Sequence, residues 1–363
     1  MKIQIVYVNC FERSVIMRRC FCVLLALVMF LSVGLTGISS SAVEIDADQD
    51  VSVYSYPISA DSEEWFEYSV REKVEMLRIP EFVLNSMTDE MLIQAIADYP
   101  YLVDIYLYGE SVADGIDVAR TYFSALDELL SRDTAAEALS TYGLNVAATH
   151  IASYQTDAEA GDYQDLFVAR AVLDILNEVV EDVGSITDSG EYSLTDLTVE
   201  KTIHGADVVV LFRDENHDTE DHAAADQQII TQYGVTKISP GSCRYNCHSY
   251  AWYSQSTSNY YWINDPSPIM QVGTVNLIYR GGLGTAANST SIRSGDIIFY
   301  GVEGGNTSVM HSAIYISTAY TSGVPIASHL CRSKWGEFGV FEHTMANVPA
   351  GYDINHISAW RTN

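Results

Sequence analysis

Apolar residues recur at helical spacing through the first half of the chain and at strand spacing through much of the second. The pattern predicts helices from about Asp61 to Val183. One begins at Glu63 with Trp65, Tyr68, Val70, Val74 and Leu77 as its apolar positions and ends at Ile79-Pro80. A second starts at Thr88, carries Asp89 and Glu90 in its first turn to complement the dipole, and stops at Tyr99-Pro100. A third runs from about Asp114 to Leu130 with Val118, Tyr122, Phe123, Leu126 and Leu130 on one face. Thr134-Ala135-Ala136-Glu137 is a capping box for a short fourth, and a fifth covers about Tyr163 to Val180 before Gly184. This half reads as an all-α region spanning 43–183. Docking, folding assistance and inhibition of the downstream domain all remain open for it.

The polar stretch 184–202 reads as a linker, and 203–363 as a second domain. Asp207–Phe212 is a strand, and Asp221–Tyr233 a helix capped by Gly234. Between them His217, Asp218, Asp221 and His222 crowd together. Histidines five apart do not share a helix face and no glycine turns the loop, so a solvated loop is expected and no metal or other cofactor is assigned. Asn259–Pro266 is an aromatic loop that anchors on the core or lines a groove. Ile297–Tyr300, Ser312–Ser317, Pro325–Ser333 and His356–Arg361 supply strands of a sheet, and Phe341-Glu342-His343 begins another element.

The start of the chain changes the picture of where the protein works. Arg18-Arg19 precede the apolar run Cys20–Leu31, and Ser40-Ser41-Ala42 offers a small-residue cleavage site, so 1–42 reads as an export signal, with Met17 a candidate start. The expected product is secreted, cut near Ala42 and not membrane-bound afterwards. Removing the signal takes away Lys2, Arg13, Arg18, Arg19 and Glu12. The 363-residue chain, at −29, then becomes a product with 15 basic and 47 acidic residues, near −32. Such a surface disfavours nucleic acid and anionic polymers as partners. Three of six cysteines also leave, which keeps Cys243, Cys247 and Cys331. Either Cys243 pairs with Cys331, or all three are reduced.

Candidate chemistry centres on Tyr245–Trp252, where Cys247 opens a buried helix whose first turn favours a thiolate. Tyr250 and Ala251 share its face and seat the helix; His248, turned about 100° away, is a poor base for it. Sixty-four positions on, His311 opens an apolar strand where the helix start can meet it. A thiol and an imidazole so placed are the parts of a cysteine hydrolase. A third polar group should orient the base. His329, which alternates with Cys331 and Ser333 on one strand face, is the first candidate, and His343 competes with it.

The order Asn246-Cys247, then Gly295-Asp296-Ile297-Ile298-Phe299-Tyr300, then His311-Ser312-Ala313-Ile314-Tyr315 resembles the NlpC/P60 and CHAP superfamily of papain-like cysteine hydrolases. The resemblance covers roughly Arg244 to the C-terminus, and Ser333-Lys334-Trp335-Gly336 to His343 looks like a stretch of its secreted bacterial members. It implies a papain-like domain with the Cys helix packed on an antiparallel sheet, which together with the N-terminal helical region makes an α+β protein. It also implies cleavage of a peptide or amide bond, with peptidoglycan-type peptide as the substrate class. An acyltransferase or transpeptidase using the same dyad is the alternative enzyme, and a catalytically silent secreted interaction module the alternative outside enzymes. Oligomeric state is left open.

Overall fold

A computed structural model describes residues 54–109, 111–143, 163–184, 197–213, 220–283, 291–317 and 326–362. The export signal and the 214–219 part of the acidic loop lie outside them. The protein is α+β, with helices set against antiparallel sheets.

Three of the N-terminal helices among the described residues start where a side chain takes up free N–H groups. Ser69 and Glu72 form a capping box for Val70–Met76, and Thr88 caps Asp89–Ala97. The helix expected over 114–130 is two helices, Val112–Arg120 and Ser124–Leu130. The break falls at two consecutive buried aromatics. Tyr122 sends its hydroxyl to Asp104 while Phe123 stacks on Tyr99 with centroids 3.7 Å apart. On a continuous helix these neighbours would diverge by about 100° and could not both reach those partners. A helical stretch at 135–143 and the long helix Tyr163–Gly184 follow.

Strand β1 (Leu197–Ile203) begins inside the stretch expected to be linker. Leu197, Val199 and Ile203 alternate with polar residues there, which suits a strand with one buried face. It pairs antiparallel with β2 (Ala206–Phe212), and β2 pairs with β4 (Tyr261–Trp262). The larger sheet has seven strands: β3 (Thr236–Ser239), β5 (Val275–Gly281), β6 (Ile297–Tyr300), β7 (His311–Tyr315), β8 (Leu330–Lys334), β9 (Val340–Thr344) and β10 (Ile357–Thr362). Their order is β3-β9-β8-β7-β6-β10-β5, antiparallel throughout. The Gly295-Asp296 turn has a structural role in this sheet. Gly295 holds φ at +93°, and the buried Asp296 carboxylate takes two bonds of 2.7 Å from Arg361 at the end of β10.

The two faces of this sheet carry different cores. Ile298, Tyr300, Ala313, Tyr315, Cys331 and Phe341 pack with the N-terminal helices and Glu220–Tyr233 in one apolar cluster. Ile297, Phe299, Ile314 and Trp360 pack instead with the Cys247 helix and the small sheet. The N-terminal helices therefore share a core with the sheet. A buried carboxylate, Asp104, reinforces the union by accepting from the hydroxyls of Tyr108, Tyr122 and Tyr233, the last from outside the N-terminal region. Trp65 Nε1 also donates to the Gln232 carbonyl at 2.7 Å. Among the described residues no helix is long and apolar enough to cross a membrane.

Candidate active site

The site lies where β7 and β8 separate. Their pairing is confined to Ile314–Arg332 and Tyr315–Cys331, so toward His311 the ladder opens. Into this opening comes the start of the Cys247 helix, Cys247–Trp252, all six residues of which are buried. Asn246 fixes its approach. Its Oδ1 accepts from Ser249 N–H at 3.0 Å and Ile263 N–H at 3.3 Å, and its Nδ2 donates to Ile263 O at 2.7 Å. One side chain thus caps the helix and ties it to the aromatic loop.

The backbone N–H of Ser312, the peptide that follows His311, and that of His248 lie close enough to the Cys247 sulfur to favour its ionised form. Helix start and strand start therefore meet at one peptide. His248 turns away, as its position one residue on requires, and bonds Ser312 Oγ through Nδ1 at 2.8 Å. Ser312 Oγ also accepts from Trp252 Nε1 at 2.9 Å.

His311 is fully buried, and the direction of its bonds can be derived. His343 Nδ1 lies 2.8 Å from the Thr344 carbonyl, which can only accept, so the proton of neutral His343 is on Nδ1. Its Nε2 then accepts from the Ser333 hydroxyl at 2.7 Å. Having donated its proton, Ser333 Oγ accepts from Trp335 Nε1 at 3.0 Å and from His311 Nε2 at 2.9 Å. His311 is thus held as the Nε2–H tautomer, and its Nδ1 presents a lone pair. Among the described residues that buried Nδ1 has no hydrogen-bond partner. It belongs to the residue whose following N–H lies close to the Cys247 sulfur.

Electrostatics set the resting protonation. Burial pushes the Cys247 thiol up to about 11, against the pull of the surrounding N–H groups and of Lys334. The thiolate expected from the helix start is outweighed, because a six-residue buried helix supplies less stabilisation than the water it displaces. Burial also lowers His311 well below its ordinary value and takes His248 and His343 down to about 4. Lys334, buried with Nζ on the Gly336 and Phe338 carbonyls, falls to about 7. The site at rest holds a neutral thiol and a neutral imidazole.

These histidines make the fold acid-sensitive. Between about pH 6.5 and 4 the unfolded chain takes up a proton at each of His248, His311 and His343, while the native protein does not. Asp104, raised by burial to about 7, runs the other way, since the native state holds its proton first. Three groups against one leave a net uptake of two protons on unfolding. Stability should therefore fall by about 3 kcal/mol per pH unit on acidification through this window. Urea midpoints at about pH 7, 6 and 5 measure it; a midpoint unchanged or rising toward pH 5 contradicts the assignment of neutral buried histidines.

The structure brings Cys247, His311 and His343 together, with Ser333 as the link between the histidines. His329 sits at the other end of β7, its Nδ1 against the Tyr315 hydroxyl. Cys243, Cys247 and Cys331 are all buried, and among the described residues none of them forms a disulfide. Beside Cys247 is a narrow cavity of about 30 Å³, room for a water-sized group, walled by Asn246, Trp262, Met310, Gly336, Leu107 and Tyr352. None of its walls is charged. Leu107 and Tyr352 carry no sequence signal, since each is an apolar or aromatic residue among many. The Ser333 link was within reach, because it alternates with Cys331 on the strand face already singled out. Among the described residues no group of three or more metal-ligating side chains gathers. No family model, curated protein or solved structure matches the chain.

Proposed function

We propose that the protein is a secreted cysteine hydrolase that cleaves a peptide or amide bond, with a papain-like catalytic domain. The observation that carries the reading is the buried imidazole of His311, its Nδ1 unpartnered among the described residues and its Nε2 committed to Ser333, with the peptide N–H that follows it, that of Ser312, close to the Cys247 sulfur. A lone pair left unsatisfied in a buried site is costly unless it has work to do. In this reading His311 Nδ1 takes the thiol proton as the sulfur attacks the substrate carbonyl. The Cys247 N–H at the helix start stabilises the oxyanion. The imidazolium then protonates the leaving amine, and water attacks the thioester with the same imidazole as base. Ser333 and His343 hold the imidazole in the tautomer that makes Nδ1 the acceptor, which puts His343 in the role of third member. Peptidoglycan-type peptides are the substrate class supported by the resemblance of Asn246-Cys247, Gly295-Asp296 and His311.

The test is incubation of the chain from residue 43, and of its Cys247→Ala variant, with purified peptidoglycan and with a peptide library. New amino termini are expected from the wild type alone. Equal products from both proteins would remove Cys247 from the mechanism.

A further inference from the structure

One contact of His311 is not explained by its hydrogen bonds. The ring of Tyr352 lies flat on the imidazole, with centroids 4.4 Å apart and planes inclined by 19°. The Ser333 bond pins the imidazole at Nε2 only, which leaves the ring free to tilt about that point. A flat stack removes this freedom and fixes the direction in which Nδ1 points.

Tyr352 is in turn held by the N-terminal helical region. Its hydroxyl donates to the Leu107 carbonyl at 2.5 Å. Its own carbonyl accepts from Arg71 at 2.7 Å, and the preceding Gly351 N–H donates to the Tyr108 hydroxyl at 2.9 Å. The approach is close: a Cβ on Gly351 would come within 2.3 Å of Val118 Cγ1 and 2.9 Å of Tyr108. Leu107, which accepts the Tyr352 hydroxyl, also walls the cavity at Cys247.

We infer that Tyr352 is a positioning residue for His311 and that the N-terminal helical region is a working part of the active site, there to hold Tyr352 in place. Of the roles open to that region from sequence, this makes it neither a docking module nor an inhibitor to be removed. The inference rests on the Cys247–His311 reading proposed above.

The experiment follows alkylation of Cys247 by iodoacetamide against pH, read by peptide mass spectrometry on the chain from residue 43. The wild type is compared with Tyr352→Leu, Tyr352→Phe, Arg71→Ala and His311→Ala, with thermal midpoints recorded for each. His311→Ala should lose the reactivity that the base supplies at neutral pH, leaving only a rise at alkaline pH. Tyr352→Leu should approach that profile, with a fall at neutral pH on the order of a hundredfold, the cost of a misplaced catalytic group. Tyr352→Phe keeps the stack but loses the Leu107 anchor, and Arg71→Ala loses the carbonyl anchor; each should fall by roughly threefold to tenfold, as expected for partial loss of alignment. A merely structural Tyr352 would lower the thermal midpoint and leave the profile of the folded protein unchanged. That result, with His311→Ala altered, overturns the inference alone. If Tyr352→Leu does not fold, an unchanged profile in both Tyr352→Phe and Arg71→Ala overturns it equally. An unchanged profile in His311→Ala overturns the dyad, and the positioning role with it.

Discussion

His311→Ala is expected to lower kcat/KM for the cleaved bond on the order of 10²- to 10⁴-fold, the contribution of a positioned general base. The effect should lie mainly in kcat, because the ring is buried and does not wall the cavity as Trp262 and Met310 do. The neutral resting pair makes the loss large. With the thiol held near 11, almost none is ionised at neutral pH without the imidazole to accept its proton. The acid limb of the wild-type profile should fall below about pH 6.5, since the free imidazole binds its proton less readily than an exposed one. Ser333→Ala tests the orientation separately. It leaves Nδ1 and Nε2 to share the proton, so a loss of about tenfold is expected, well short of the roughly 10⁴ caused by a fully wrong tautomer in a triad. Wild-type kcat/KM in His311→Ala would end the dyad reading.

The parts of this site that were legible in sequence are those with a local signature. Asn246-Cys247 announces a cap and a helix start, and His311 opens an apolar strand; each is readable within a few residues. The Ser333–His343 link was only half legible. Alternation placed Ser333 on the right face, but which histidine it serves depends on the register Cys331↔His343, set by the Trp335–Gly339 turn between β8 and β9. The thiol's protonation was misjudged for a related reason. A cap and dipole are local and visible, whereas desolvation comes from residues as distant in sequence as Tyr352 and Leu107. The fold follows the same rule. Helices and strands were legible from periodicity, but the union of the N-terminal helices with the sheet rests on contacts such as Asp104–Tyr233 and Leu107–Tyr352, more than a hundred residues apart. A lone aspartate between Val103 and Ile105 looks like a surface residue until its three tyrosines are assembled around it.

That aspartate carries the largest expected effect on stability. Asp104→Ala removes the common acceptor of Tyr108, Tyr122 and Tyr233 and leaves three hydroxyls buried at the seam between the N-terminal helices and the sheet domain. Each stranded hydroxyl costs about 1–3 kcal/mol, and some can bond one another as Tyr108 and Tyr122 already do at 3.0 Å, so a net loss of about 3–5 kcal/mol is expected at pH 6. Asp104→Asn separates the hydrogen bonds from the charge. In the wild type, burial raises the carboxyl to about 7, above its unfolded value, so its contribution is full in acid and declines as pH rises from about 4 to 7. Across those three units the decline amounts to about 4 kcal/mol. Asparagine keeps one acceptor and does not ionise. The asparagine variant should therefore be less stable than wild type near pH 5 and draw level with it or pass it by pH 8. Urea denaturation of both proteins at the two pH values reads this crossing directly. A difference that does not change with pH would mean that Asp104 is ionised in the native state throughout, held by its three phenols as an anion. In that case the seam would be stabilised by charge-assisted bonds, and Asp104→Asn would cost as much at pH 5 as at pH 8.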